Sequence, residues 1–161
     1  MNKFFFKIIN FIKNFCILNL IYFKYKNSFK KGLNTKILIE KNYSETKIIF
    51  YKNICFLINP KLKDFYKNNL NINSFDHLFL TEKPDFFTLE LIKLIKKKNK
   101  NLKLHCDFIY NKYYKKIFLQ KDIFLYVNER ENILALKNIE LKITYKEKKF
   151  SINFIKSNNF I

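Results

Sequence analysis

The first part of the chain has the spacing of an amphipathic helix. Lys3, Lys7, Asn10 and Asn14 recur at intervals of three and four residues. The apolar positions that alternate with them are Phe4, Ile8, Phe11, Ile12, Phe15 and Leu18. This period of about 3.6 predicts a helix over residues 4–23.

From Lys36 onward the period changes, and short apolar runs alternate with polar turns. The pattern predicts strands at residues 37–39, 47–51, 54–58, 77–80, 102–106, 123–127, 133–136, 139–145 and 150–155. Proline cannot donate a hydrogen bond to a sheet, so Pro60 ends the third of these runs. In the run 139–145, apolar and polar residues alternate strictly, which predicts one buried and one solvated face.

Two further segments have helical spacing. Asp85 or Thr88 can cap a helix that ends in a run of lysines, an arrangement that suits the helix dipole. A second helix is predicted over residues 108–119, starting from Asp107. The order of elements predicts an α/β fold: a mixed β-sheet sandwich with flanking helices and an N-terminal amphipathic helix. We divide the chain into a basic amphipathic segment, residues 1–35, and an α/β domain, residues 36–161.

The composition is strongly biased. Lys, Asn, Ile, Phe and Tyr dominate, and their codons are rich in A and T, which indicates the A/T-rich genome of an organelle, a reduced endosymbiont or a parasite. The net charge is +19, from 32 basic and 13 acidic residues. Codon bias does not fix that ratio, so the charge favours an anionic partner, nucleic acid or membrane, over a merely solvated surface.

Several classes of protein are excluded or disfavoured. With Gly32 as the single glycine, the chain has no P-loop, dinucleotide fingerprint or nucleophile elbow. The three cysteines, Cys16, Cys55 and Cys106, form no spaced motif, so no disulfide framework is expected and a reducing, intracellular location is favoured. The uncharged part of the first helix is too short to cross a bilayer, which takes roughly 20 apolar residues.

The N-terminal helix has three alternative interpretations. Its apolar side, with Phe4, Ile8, Phe11, Ile12 and Phe15, can pack on the core of the chain or on a partner. It can lie on a membrane surface, because no acidic residue occurs before Glu40. It can also be a targeting segment.

A basic and aromatic region follows the helix that begins near Asp85. Lysines crowd the end of that helix, and tyrosines and lysines interleave in the segment after the next strand. Such residues can contact phosphates and stack on unpaired bases. The candidate nucleic-acid-binding residues are Lys96, Lys97, Lys98, Lys100, Lys103, Lys112, Tyr113, Lys115 and Lys116. The alternative is a solvated helix end that suits the dipole and the codon bias.

The segments ICFLINPKL, residues 54–62, and DHLFLTEKPDFFTLELIKL, residues 76–94, resemble the N-terminal half of a metallo-β-lactamase-fold hydrolase. In that family a strand ends in a Leu-Ile-Asp-Pro-like sequence, and a later strand leads into the metal loop Thr-His-x-His-x-Asp-His and a helix. Asn59-Pro60 stands where the family has Asp-Pro. Thr81, Pro84, Asp85 and Phe87 match parts of the metal loop and its exit, and the resemblance covers residues 37–145.

The departures from the family pattern concern the metal ligands. The loop at residues 81–87 is one residue shorter and has no histidine, and Lys83 and Phe86 stand where imidazoles would be. A lysine ammonium and a phenyl ring cannot ligate zinc. The resemblance therefore implies a shortened, degenerate member with no expected metal or other cofactor. By this resemblance Asp85 is the one position of the family's ligand set that remains. His77, His105 and Asp107 are the other candidate ligands.

We therefore expect a basic binding or structural component without catalysis, with RNA or a ribonucleoprotein assembly as its partner. The alternatives are a residual metal-dependent hydrolase, with ligands among the four candidate residues, and a peripheral membrane protein on an anionic surface. Half of the family fold would leave an apolar sheet face uncovered, which a protein partner or self-association could bury. The expected location is the organelle or cytoplasm of a cell with a reduced, A/T-rich genome.

Overall fold

The structure, a computed structural model, describes residues 3–25, 35–52, 54–72, 75–127, 130–136, 139–147 and 149–157. The helices are α1 (Lys3–Tyr25), α2 (Leu62–Lys67), α3 (Phe86–Lys98) and α4 (Asn111–Tyr114). The strands are β1 (Thr35–Asn42), β2 (Lys47–Lys52), β3 (Ile54–Ile58), β4 (His77–Leu80), β5 (Lys103–Asp107), β6 (Ile123–Tyr126), β7 (Arg130–Leu136), β8 (Ile139–Lys146) and β9 (Lys149–Ser157).

Strands β1 to β6 form one mixed sheet in chain order. β1, β2 and β3 pair antiparallel, while β3 to β6 pair parallel. The connections between the parallel strands carry α2, α3 and α4, because a parallel pair requires a crossover. Strands β7, β8 and β9 form a second, antiparallel sheet.

The helices α1, α2 and α3 cover one face of the first sheet. Alternate strand residues, such as Leu57, Leu78 and Leu104, join an aliphatic core with Leu91 and Ile92 of α3. Each of these five side chains is fully buried. Helix α1 adds Ile17, Leu18 and Ile21 to this core.

The opposite face of the first sheet packs on the second sheet. Its core consists of Ile49, Phe56, Phe79, Tyr126, Ile143 and Tyr145. Phe79 meets Phe150 of β9 edge to face, with ring centroids 5.1 Å apart. Residues of one strand therefore alternate between an aliphatic layer under the helices and an aromatic layer between the sheets.

The mixed α/β sandwich with flanking helices confirms the predicted fold class, but some details of the structure differ from the prediction. The helix predicted over residues 108–119 is a 3-10 turn at Phe108–Tyr110 followed by the single turn of α4, although Asp107 caps it as expected. Helix α2 was not predicted, because it is short and lies in an asparagine-rich connection. The strand expected at residues 133–136 begins at Arg130.

Both faces of the first sheet are covered, one by helices and the other by β7 to β9. On the second sheet, the described side chains that alternate with the buried ones include Lys142, Lys146, Ser151 and Asn153, all polar. Most of the exposed large apolar side chains among the described residues lie on α1 instead. The predicted protein partner or second copy remains untested.

Candidate functional site

The carboxyl ends of the parallel strands meet at one edge of the sheet, where α/β proteins commonly bind ligands. Asn59 ends β3 in the left-handed region, with φ of 45°, a conformation that asparagine tolerates. Its side-chain carbonyl accepts a hydrogen bond from the Thr81 backbone N–H at 3.0 Å, and its amide donates to Thr81 Oγ1 at 2.9 Å. Asn59 therefore fixes the loop that follows β4.

The loop after β4 holds Asp85, one of the four candidate metal ligands. Asp85 is the N-cap of α3, and its Oδ1 accepts a hydrogen bond from the Thr88 backbone N–H at 2.6 Å. Earlier in the loop, Lys61 Nζ contacts Glu82 Oε2 at 2.9 Å. Burial lowers the pKa of Lys61, but the hydrogen bond and charge of Glu82 outweigh it and raise that pKa overall. The loop is thus fixed by a helix cap and an ion pair.

The two histidines lie in the aromatic layer between the sheets. His77 on β4 and His105 on β5 are buried, and His77 Nδ1 lies 3.0 Å from His105 Nε2. His105 Nδ1 is in turn 3.0 Å from Tyr126 Oη on β6. The His105 ring stacks between Phe79 and Phe124, with centroids 4.3 and 4.7 Å away. The three polar side chains form a hydrogen-bonded row across neighbouring strands.

Burial keeps His105 and the neighbouring Cys106 uncharged. Burial, and secondarily His77, lowers the pKa of His105 well below 6.5. Burial, followed by the charge of Asp107, raises the pKa of Cys106 to about 12. At neutral pH His105 is therefore an uncharged imidazole and Cys106 a thiol, and a thiol is neither a good nucleophile nor a metal ligand.

Asp107, at the end of β5, accepts two hydrogen bonds within the folded structure. Its Oδ1 accepts a hydrogen bond from the Ile109 backbone N–H at 3.0 Å, and its Oδ2 accepts from Tyr145 Oη at 2.7 Å. The second bond joins the first sheet to the second. Burial, followed by the hydrogen bond to Asp107, raises the pKa of Tyr145.

The four candidate ligands are thus not assembled into one site. His77 and His105 contact each other, whereas Asp85 and Asp107 are bonded elsewhere. Among the described residues, no three or more His, Cys, Asp or Glu side chains form a group that could hold a metal ion. The recess at this edge, beside Pro84 and Tyr114, measures about 10 Å³, which is room for about one water molecule.

The candidate nucleic-acid-binding residues fall into two groups, and the first group lies at the end of α3 and at the start of β5. Lys96 and Lys103 both contact the buried carboxylate of Asp122, Lys96 at 3.5 Å and Lys103 more closely. The hydrogen bond from Lys103 is the main cause that lowers the pKa of Asp122. Lys96 also lies 5.1 Å from the centre of the Phe118 ring. These two lysines thus hold α3 and β5 to the turn before β6, while Lys97 and Lys100 are exposed.

The second part of the candidate surface surrounds α4. Lys112 Nζ lies 5.3 Å from the centre of the Tyr113 ring, and Lys83 Nζ lies 5.8 Å from it, within cation–π range. Lys115 and Lys116 follow directly and are exposed, and Tyr113 is half-buried. We call Lys83, Lys112, Tyr113, Lys115 and Lys116 the Tyr113 surface. It joins lysine charges to an aromatic ring at the carboxyl edge of the sheet.

Helix α1 contacts the body of the protein by only part of its circumference. Phe11 packs on Phe86 and Phe87 of α3, with ring centroids 6.0 and 5.2 Å away. Ile8, Ile12 and Phe15, which were predicted to lie against a core, a partner or a membrane, are exposed, and Phe4 lies outside the residues whose side chains are described. None of the helices within the described ranges has both the length and the apolar character needed to traverse a bilayer.

Comparisons with known proteins identify similar folds but no close relative. No family model matches the chain, and no curated protein matches its sequence. One similar solved structure is a diphosphatase from the PhnP family, with a TM-score of 0.41 and 9% identity over 69% of this chain. Another is the metallo-beta-lactamase fold protein YhfI from Bacillus subtilis, with a TM-score of 0.45 and 7% identity over 77% of this chain.

The matched part spans 47% of the diphosphatase and 55% of YhfI, so the chain corresponds to about half the length of these structures. YhfI is a metallo-beta-lactamase fold protein, and the sequence of this chain resembles that fold.

Sequence reasoning missed several partners of the candidate residues. Tyr126 is hydrogen-bonded to His105, and Tyr145 donates a hydrogen bond to Asp107. Asp122 binds two of the candidate lysines. Their places in the strands follow from the alternation of buried positions, but the pairing depends on the register between strands that are distant in sequence. The sequence identifies Lys83 only as a residue that cannot bind zinc. Its contact with Tyr113 joins two segments that are distant in sequence, so the pattern does not predict it.

Proposed function

We propose that this chain is a non-catalytic binding domain that takes single-stranded RNA on the Tyr113 surface. The carrying observation is that Lys83 and Lys112 both lie within cation–π range of the Tyr113 ring, beside the exposed Lys115 and Lys116. Lysines neutralise phosphates, and an aromatic ring offers a plane on which a base can stack. The net charge of +19 adds a long-range attraction for any polyanion.

The non-catalytic part of this proposal is supported by the bonds of the candidate ligands. Asp85 caps a helix, Asp107 joins two sheets, and the two histidines are paired inside the aromatic layer. Each group serves the folded structure, and recruiting it for a reaction would cost that contact. The hydrolase alternative has no comparable support.

Within the predicted nucleic-acid surface, the structure favours the α4 half. Lys96 and Lys103 are engaged by Asp122, so they would have to leave an ion pair to bind a phosphate. Lys112, Lys115 and Lys116 are exposed. We therefore expect RNA affinity to depend more on the second group than on the first.

The test compares two variants with the same change in charge. We expect Lys112→Glu/Lys115→Glu/Lys116→Glu to weaken binding of a single-stranded oligonucleotide by at least about tenfold, because three phosphate contacts become repulsive. The control is Lys63→Glu/Lys67→Glu/Lys121→Glu, three exposed lysines outside the Tyr113 surface. Equal loss in both variants would indicate a non-specific charge effect and would contradict the proposed surface.

A second pair of variants tests the aromatic ring. Tyr113→Leu keeps an apolar side chain but removes the stacking plane, so RNA affinity should fall by about 1–3 kcal/mol. Tyr66→Leu is the matched control, because Tyr66 is 49% exposed and lies on α2. If both variants bind RNA like the wild type, the ring has no role in recognition.

A further inference from the structure

Helix α1 has an apolar surface on the side that faces away from the protein. Ile17, Leu18 and Ile21 are buried against the core. At about 100° per residue, the positions opposite to them belong to a second apolar stripe. This outer stripe consists of Ile8, Ile9, Ile12, Phe15, Cys16 and Leu20. All six side chains are exposed, and Ile12, near the centre, is 56% exposed.

Packing among the described residues leaves most of this outer stripe uncovered. Ile17, Leu18 and Ile21 of α1 join the core and Phe11 packs on Phe87 of α3. Phe15, at the edge of the stripe, borders a groove lined also by Phe86, Glu90 and Leu94 of α3. Phe86, at the start of α3, is 54% exposed and extends the apolar surface beside Phe11. A contiguous apolar area on a surface helix indicates contact with a partner or a membrane.

The charge of α1 identifies the kind of partner. The helix contains four lysines and no acidic residue, and Lys7 and Lys13 are the two whose side chains are described, both exposed. At 100° per residue Lys13 borders the outer stripe, where its long side chain can reach lipid phosphates while the stripe is buried, whereas Lys7 lies on the inner side of the helix. A second copy of the chain would bring the same lysines together and would also carry +19, so self-association is opposed by charge.

We propose that α1 binds an anionic lipid surface, lying in its plane with the outer stripe among the acyl chains and Lys13 at the headgroups. A helix of 23 residues is about 35 Å long, which gives the contact considerable length. This surface shares no residue with the Tyr113 surface, and the proposal does not depend on RNA binding.

The native cysteines provide a direct measurement. Cys16 is exposed at the outer stripe, whereas Cys55 and Cys106 are buried, so a thiol-reactive, environment-sensitive dye attaches at Cys16. We expect the emission of the labelled full chain to shift to the blue with phosphatidylcholine vesicles that contain phosphatidylserine. Vesicles of phosphatidylcholine alone should give a much smaller shift. Equal shifts on both vesicles would contradict the role of Lys13.

A matched pair of variants tests the outer stripe by vesicle flotation of unlabelled protein. Ile8→Gln/Ile12→Gln/Phe15→Gln should weaken binding by at least about tenfold, because three apolar side chains no longer gain burial. Ile109→Gln/Leu119→Gln/Val127→Gln replaces equally exposed residues elsewhere and should bind like the wild type.

Three results would overturn the proposal. The first is unchanged flotation of the α1 variant, and the second is failure of the wild type to float with anionic vesicles. The third is an oligomer of the wild type without lipid that the α1 substitutions dissociate, since the occupant of the stripe would then be a second copy. Because every substituted side chain is exposed, circular dichroism should show the same fold in both variants.

Discussion

The aromatic layer between the sheets and the Tyr113 surface both combine aromatic rings with titratable side chains, but they differ in how those groups are satisfied. In the aromatic layer, His77, His105 and Tyr126 are buried and hydrogen-bonded in a row. On the Tyr113 surface, Lys115 and Lys116 are exposed to water. Buried polar groups bonded to one another stabilise one arrangement of a core, whereas exposed charges contribute little to stability.

The contrast separates structure from function within this chain. Residues that resemble catalytic groups by type lie in the buried layer and at helix caps, where substitution should lower stability. The exposed lysines of the Tyr113 surface, which by type alone suggest only a solvated surface, lie where substitution should lower binding.

The largest loss of stability is expected from Phe79→Ala. Phe79 is fully buried and contacts both His105 and Phe150, so the variant leaves a cavity between the two sheets. The free energy of unfolding, measured with urea, should fall by about 3–5 kcal/mol. Phe86→Ala, at a ring 54% exposed, should cost far less, and similar losses in the two variants would contradict a packed aromatic layer.

The next largest effect concerns His105 and depends on pH. His105→Phe keeps a ring between Phe79 and Phe124 but removes two hydrogen bonds, at a cost of about 1–3 kcal/mol at pH 8. The pKa of His105 is lowered in the folded state, so the unfolded chain binds its proton first as the pH falls. The wild type should therefore lose stability below about pH 6.5, at up to about 1.4 kcal/mol per pH unit from His105, until the folded pKa is reached.

Urea unfolding from pH 8 to pH 5 measures this dependence. The His105→Phe variant should lose less stability than the wild type over the same range, because the proton uptake of His105 in the unfolded chain is removed. Parallel profiles for the two proteins would mean that His105 is not a buried neutral imidazole.

The outline of the fold could be predicted from the sequence because its signals are local. Strands such as β3 and β4 are apolar runs between polar turns, and Asp85 is a recognisable helix cap. The separation of β7 to β9 into a second sheet is a long-range event, since Asp107 meets Tyr145 across 38 positions of sequence. For the same reason the row of His77, His105 and Tyr126 could not be predicted, although the histidines themselves had been singled out.

A smaller effect is expected from Asp122→Asn. The carboxylate binds Lys96 and Lys103, and its pKa is lowered, so this stabilisation exists above about pH 4 and is lost as the pH falls through the folded pKa. At pH 7 the substitution should cost about 1–2 kcal/mol, because the side chain is buried and charged. Glu90→Gln removes a more exposed ion pair with Lys93 and should change stability by less than about 0.5 kcal/mol. Equal effects would show that Asp122 is no better placed than a surface carboxylate.

The dependence of RNA affinity on salt is the most direct test of the Tyr113 surface. For wild type, the logarithm of the association constant should fall steeply as the logarithm of salt concentration rises. In Lys112→Glu/Lys115→Glu/Lys116→Glu that slope should be smaller by about 2, since each lost contact with a single strand accounts for about 0.7, while stability stays within about 0.5 kcal/mol. An affinity insensitive to salt, or equal slopes in wild type and variant, would contradict RNA binding at this surface.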